Sequence, residues 1–251
     1  VLYELSKKYG KTEEDILNFY NNAVEERNSI ENSDEIKRKL TAEVNAAYEK
    51  ALENAKELSK TRIFAGNLFA KNVCEELRFL DMPSVRFAVD IKDCPLCENG
   101  IDKVEFLLSA NVGEDLKPLS KIASGGELSR IMLAIKSVLS EKDGISTLVF
   151  DEIDTGVSGS AAQKIAVKLK QVSHSHQVIC VTHLAQIAAY ADEHLFISKS
   201  EHDGQTYTEL KSLSFDERKS ELARIMGGFE VTSAMLESAE QMLLSANKVD
   251  K

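Results

Sequence analysis

Apolar residues in the first 80 positions recur at helical spacing: Ile16, Tyr20, Ala23 and Ile30, then Leu40, Val44, Ala47, Ala51 and Leu58. From Leu40 to Ala51 they form the beginning of a heptad seam, with Glu and Lys on the other faces. No Pro and only two Gly, Gly10 and Gly66, interrupt this stretch. The pattern predicts two or three long helices over residues 1–80, arranged as a coiled-coil arm segment. The polar stretch at residues 28–34 predicts a turn, or a helix N-cap at Ser33 or Asp34.

After Met82-Pro83 the period changes. Residues 85–91 alternate as a half-buried strand does, and residues 104–108 supply a partner. A helix is predicted from Ser124 to Leu139. Thr147-Leu148-Val149-Phe150 is a short, mainly apolar run, as are residues 177–181, and each predicts a buried parallel strand. Helices are expected at residues 161–172 and 184–191, a hairpin around Asp203-Gly204, and closing helices at residues 215–226 and 231–246. Strands alternating with helices predict an α/β layer over residues 81–251.

Composition narrows the function. The 251 residues hold 31 Lys+Arg against 41 Asp+Glu, a formal net charge of −10. Residues 1–80 are nearly balanced, with 13 basic and 15 acidic side chains, so most of the excess falls on the remainder. A broadly basic nucleic-acid coat is excluded. Lys37-Arg38-Lys39 is the only tight basic cluster, and it reads as a solvated helix face. Four Cys make no disulfide framework at this length, which favours a reducing, cytoplasmic setting. No apolar run approaches the roughly 20 residues needed to cross a bilayer, and the start does not have the pattern of a signal peptide. Beginning at Val1 rather than Met, the chain reads as a piece of a longer polypeptide.

Three segments carry chemistry. The buried strand at residues 147–150 ends in Asp151-Glu152, and in open α/β sheets ligands bind at that end. The first carboxylate is placed to hold Mg²⁺ and the second to orient an attacking water. Ser124-Gly125-Gly126-Glu127 opens a helix whose unpaired N–H groups can receive an anion; Ser124 with Glu127 also fits a capping box. The second buried strand ends in Thr182-His183, where an imidazole can meet a phosphate or water. A phosphate loop of the G-x-x-x-x-G-K-[ST] type is absent. Gly10-Lys11-Thr12 has its last letters but lies between amphipathic helices, so Gly10 is expected to end one helix and Thr12 to cap the next.

In this order the segments resemble known motifs. Residues 119–130 (Leu-Ser-Lys-Ile-Ala-Ser-Gly-Gly-Glu-Leu-Ser-Arg) are similar to the signature motif of ATP-binding-cassette (ABC) heads. Residues 149–159 are similar to Walker B plus D-loop, and residues 181–188 to the switch-histidine segment. The wording resembles the bacterial SMC-like ATPases of DNA repair. The resemblance implies the C-terminal lobe of an ABC/SMC-type P-loop ATPase head, at residues 81–251, with an antiparallel coiled-coil arm segment at residues 1–80. It implies ATP and Mg²⁺, with Asp151 on the metal, Glu152 and His183 catalytic, and Ser124, Gly125, Gly126, Glu127, Asp154 and Ser158 toward nucleotide. It further implies completion by an N-terminal Walker A lobe of the same protein, a second head in a homodimer, and DNA as a nucleoid partner. ATP sandwiched between two heads would drive head engagement and the bridging or holding of DNA ends in double-strand-break repair. By this reading the chain alone is inactive.

Ser160 departs from the family, in which a basic residue is common at that position. Cys94-Pro95-Leu96-Cys97 matches no motif of the family and is expected in a linker as two free thiols. Two alternatives remain at this stage: a non-catalytic dimerisation module with a degenerate head, and another SMC-like chromosome protein.

Overall fold

A computed structural model describes residues 2–111, 113–121, 125–139, 143–202, 205–228 and 230–246. It divides into two compact units, one of residues 1–62 with 93–103, the other of residues 63–92 with 104–251.

The first unit begins with α1 (Leu2–Tyr9) and most of α2 (Glu13–Phe79). Gly10 breaks the helix between them at φ +143°. Thr12 then caps α2: its Oγ1 accepts from Asp15 N at 3.1 Å, and its N–H donates to Asp15 Oδ2 at 3.0 Å. The expected break at residues 28–34 does not occur, because α2 passes through it unbroken. Asn, Ser and Asp cost a helix only roughly 0.5 kcal/mol each relative to Ala. Ser33 also turns its hydroxyl inward, donating to Ile30 O at 2.7 Å. Leu40 and Val44, on the predicted seam, are 55% and 65% exposed.

This unit also holds the tip of the hairpin formed by β1 (Arg86–Cys97) and β2 (Gly100–Ser109). The Asp102 side chain is fully buried there and accepts from Ser59 Oγ at 2.7 Å and Arg62 Nη1 at 3.0 Å. Cys94 and Cys97 therefore lie within a strand and not in a linker, the anchored tip extending β1 well past the apolar alternation that suggested it. Cys97 Sγ donates to Gly100 O at 3.3 Å, and burial, with Cys97 beside it, pushes the Cys94 thiol pKa up. Raised thiols are weak ligands and nucleophiles.

In the second unit β3 (Lys117–Pro118) pairs antiparallel with β2. Phe69 of α2 meets Phe87 and Phe106 of the sheet, with ring centroids 5.8 and 5.7 Å away. Against this lie α3 (Gly125–Leu139), β4 (Thr147–Phe150), α4 (Gly159–Ser173) and β5 (Gln177–Cys180), sharing one core that includes Val73, Leu77, Leu133, Phe150 and Ile165. Lys168 of α4 reaches Glu76 at 2.6 Å and lies over the Phe79 ring. A short α5 (Ala185–Ala188) leads to the hairpin β6 (Leu195–His202) and β7 (Gln205–Ser212). The tip expected at Asp203-Gly204 lies outside the described residues. The closing α6 (Phe215–Gly227) and α7 (Ser233–Ala246) pack with α5 around Leu222, Ala239 and Leu243. Ser214 and Glu217 form a capping box at the start of α6.

β4 and β5 pair in parallel, Phe150 opposite Cys180, as the apolar runs predict. Full burial does not follow. Leu148 and Phe150 face the core, but Val149, Ile179 and Val181 are 67%, 46% and 53% exposed. One face of the strand pair has no layer over it among the described residues. None of the described helices is long and apolar enough to cross a membrane.

Candidate functional site

The parallel pair brings two of the three segments together. Val181 N donates to Phe150 O at 2.9 Å, so the strands end level and release Asp151-Glu152 beside Thr182-His183. Asp151 is exposed, and its Oδ1 accepts from Glu152 N at 2.9 Å. Glu152 is also exposed and holds φ +56°, a left-handed conformation that costs a non-glycine residue roughly 1–3 kcal/mol and persists only where its surroundings impose it. Turn bonds from Thr155 N to Glu152 O at 3.1 Å and from Val157 N to Asp154 O at 3.3 Å follow.

Asp154 points inward, not toward solvent, and is 3% exposed. Its Oδ2 accepts from Thr182 Oγ1 at 2.6 Å, His183 N at 2.9 Å and His183 Nδ1 at 3.0 Å. With Nδ1–H committed to Asp154, neutral His183 presents Nε2 as an acceptor. The His183 side chain is 73% exposed.

The start of α3 supplies the third piece. A Cβ at Gly126 would sit 3.0 Å from both Glu152 O and Thr155 Cβ, so only glycine lets the helix approach this closely. A Cβ at Gly125 would lie 2.7 Å from Glu152 Oε2. The glycine pair thus makes room for this chain's own acidic turn. Glu127 is half-buried in the first turn of α3. Ser124 lies outside the described residues. Ser158 is exposed at the N-cap of α4, without a side-chain capping bond.

Three residues of this network were not singled out from the sequence. Ser129 Oγ donates to Asp151 O at 2.8 Å, Arg130 Nη1 donates to Ile153 O and Thr155 O, and Thr182 Oγ1 braces Asp154. A signal existed for one of them: Arg130 stands four residues after Gly126 and before Ala134, on the buried face of α3. A charge on an apolar stripe calls for partners. Burial, then the charges of Asp154 and Asp151, push the Cys180 thiol up to about 12, so it remains a neutral packing group. Among the described residues no group of three or more His, Cys, Asp or Glu side chains is arranged to hold a metal ion.

An acidic turn, a braced histidine at parallel strand ends and a glycine-opened helix, together with a long helix, form an SMC-type head lobe of the ABC class with a helical arm segment. The Smc head domain with coiled coil and joint from Pyrococcus yayanosii matches 84% of this chain and 38% of its own, with TM-score 0.55 and 25% identity. The Smc head with extended coiled coil from Pyrococcus furiosus gives TM-score 0.51 over 81% of this chain and 49% of its own, at 24% identity. No protein-family model matches the chain. In sequence, the chain is 42% identical to the DNA repair protein RecN of Bacillus subtilis, over 98% of this chain and 46% of the relative. It is 38% identical to that of Treponema pallidum, over 97% and 44%. Over nearly its whole length the chain is thus similar to the C-terminal part of RecN proteins. It spans about half the length of these relatives.

Proposed function

We propose that this chain contributes half of an ATP-hydrolysing head that acts in DNA double-strand-break repair, with residues 1–80 as an arm segment and residues 81–251 as the head lobe. The observation that carries this is the convergence of Asp151, Glu152 and the Asp154-braced His183 at the ends of β4 and β5.

The donor set suits Mg²⁺. Asp151 is an exposed carboxylate with one oxygen engaged by Glu152 N–H, and a hard cation favours such oxygens. Asp151 would hold the ion, which when bound supplies neutralising charge at the phosphates. Glu152 accepts a hydrogen bond from the attacking water and orients it. His183 offers Nε2 to the water or the terminal phosphate, its ring fixed by Asp154. Gly125, Gly126 and Glu127 form the helix start that faces the nucleotide of a second head, and Ser124, next to them in sequence, is assigned to the same nucleotide. Asp154 and Ser158 lie on the segment between the two sites. Asp154 serves this site through His183.

A phosphate loop comes from an N-terminal lobe that also covers the open face of β4 and β5. Parallel strands are buried on both faces in α/β proteins, and the exposed Val149, Ile179 and Val181 support that completion. Head engagement on ATP then controls the holding of DNA in the bacterial nucleoid, with the phosphate contacts outside this acidic lobe.

The test is ATP turnover by the purified chain alone and by the chain with its N-terminal lobe. The chain alone should neither bind ATP tightly nor hydrolyse it, and the second lobe should restore turnover. Glu152→Gln in the completed protein should trap an ATP-bound dimer that elutes early on gel filtration. Clear ATPase activity from the chain alone sinks the split-site reading.

A further inference from the structure

Arg130 lies on the buried face of α3 and is 8% exposed. Burial pulls its pKa down, with Glu127 opposing, and a guanidinium still remains charged at any working pH. Its Nη1 donates to Ile153 O at 3.2 Å and Thr155 O at 3.0 Å, while Nε has no partner among the described residues. A buried charge satisfied by two carbonyls is an expensive way to fill space, since an apolar side chain of the same length fills it without desolvating a cation.

Those carbonyls flank Asp154 on either side, and the first follows directly after Glu152. Ser129, one residue earlier on α3, holds the Asp151 carbonyl at 2.8 Å. Carbonyls 151, 153 and 155 are therefore all gripped from one turn of α3, and Gly126 backs onto the Glu152 carbonyl. Glu152 sits in its left-handed conformation at the centre of this grip. Strain of that kind survives only where neighbours over-determine it.

We propose that Arg130 is the positioning residue of the acidic turn: with Ser129 it fixes the backbone of residues 151–155, holding Glu152 left-handed and Asp154 on His183. It acts through the backbone of the turn, and it makes the start of α3 and the acidic turn move as one body. The activity readout rests on the ATPase reading above; the backbone readout does not.

The experiment compares Arg130→Met, Arg130→Lys and Ser129→Ala in the complete protein, by ATP kinetics and by amide hydrogen exchange. Arg130→Met should lower kcat about 100-fold with KM for ATP nearly unchanged, because the loss is in placement and not in binding. Arg130→Lys, which keeps the charge but loses the planar fork, should recover part of that loss. Exchange at residues 151–157 should accelerate at least ~10-fold in Arg130→Met while α4 keeps its protection. Wild-type kcat, or unchanged exchange at residues 151–157, in a folded Arg130→Met protein overturns the proposal. If Arg130→Met does not fold, Arg130→Lys and Ser129→Ala decide, and wild-type kcat and exchange in both overturn it. A wild-type protein without ATPase activity refutes the functional reading alone, and exchange then judges the role of Arg130.

Discussion

Asp154 accepts both the backbone N–H and the ring Nδ1–H of His183 on a single carboxylate oxygen, at 2.9 and 3.0 Å. The carboxylate is buried and the imidazole exposed, so a rigid anchor holds a ring that faces solvent. Thr182 Oγ1 adds a third donor to the same oxygen at 2.6 Å. Residues from the turn after β4 and from the end of β5 are thereby locked together. The His183 ring cannot turn without breaking its Nδ1 bond to Asp154.

Because one oxygen takes all three donors, charge and geometry separate by mutation. Asp154→Asn keeps an oxygen in place and should leave stability within about 1 kcal/mol. Asp154→Ala leaves the Thr182 hydroxyl and the His183 N–H without their acceptor and should cost about 1–3 kcal/mol. Urea midpoints measure this. Nitrogen NMR of the His183 ring should show a fixed Nδ1–H tautomer in the native chain and in Asp154→Asn, and tautomer averaging in Asp154→Ala. A fixed tautomer in Asp154→Ala contradicts the anchoring role.

The two glycines of α3 should respond oppositely to alanine. At Gly126 the added Cβ meets backbone and a β-carbon at 3.0 Å, neither of which can move alone, so Gly126→Ala should destabilise by about 1–3 kcal/mol. At Gly125 the Cβ meets only the end of the Glu152 side chain, which can swing away. Alanine also gains roughly 0.5–1 kcal/mol over glycine in a helix. Gly125→Ala should thus match or exceed native stability while displacing the Glu152 carboxylate, and turnover in the completed head should fall. Thermal unfolding and ATPase assays on both variants check the contrast.

How much of this was legible in the sequence follows from physical range. Periodicity marked α3, α4, β4 and β5, because each buries a continuous face. Motif order marked Asp151, Glu152 and His183, because strand ends are where such groups converge. The inward turn of Asp154 was not legible: it depends on β5 lying parallel beside β4 with Thr182 in register. The unbroken α2 was missed since Asn, Ser and Asp penalise a helix only weakly, whatever their frequency in turns. The exposure of Val149 was missed because an apolar run reports a need for cover without saying which chain segment supplies it.

The hairpin tip gives a pH prediction. The Ser59 hydroxyl, then Arg62, hold the Asp102 carboxyl below the usual carboxylate range, against the opposing effect of burial. A depressed folded-state pKa means that the stabilisation is complete above the unfolded value, about 3.9, and is lost as pH falls through the folded value. Ser59→Ala removes the largest cause, so the Asp102 titration should move upward toward the ordinary range. Carboxyl NMR of Asp102 in the two proteins measures this directly. Acid unfolding of the tip should likewise begin at higher pH in Ser59→Ala. No upward movement means that the hydroxyl does not hold the charge.

Val149 and Ile179 test how the open sheet face is used. They are paired in register on β4 and β5 and are 67% and 46% exposed, whereas Leu148 and Phe150 on the opposite face are buried. Exposed positions tolerate polar substitution within about 0.5 kcal/mol. The double variant Val149→Glu with Ile179→Glu should therefore fold with a loss of no more than about 1 kcal/mol, from the two carboxylates facing each other across the strand pair, and it should aggregate less because an apolar patch is gone. Against an N-terminal lobe the same change places two carboxylates in a desolvated sheet layer, a loss that packing cannot offset. Association of the two lobes should fall at least ~100-fold, the equivalent of about 2.7 kcal/mol, and ATP turnover should be lost with it. Calorimetric titration of one lobe with the other reads the first effect, and unfolding of the isolated chain provides the control. Undiminished association would mean that the lobe docks elsewhere, leaving the exposed face of β4 and β5 without the role assigned to it.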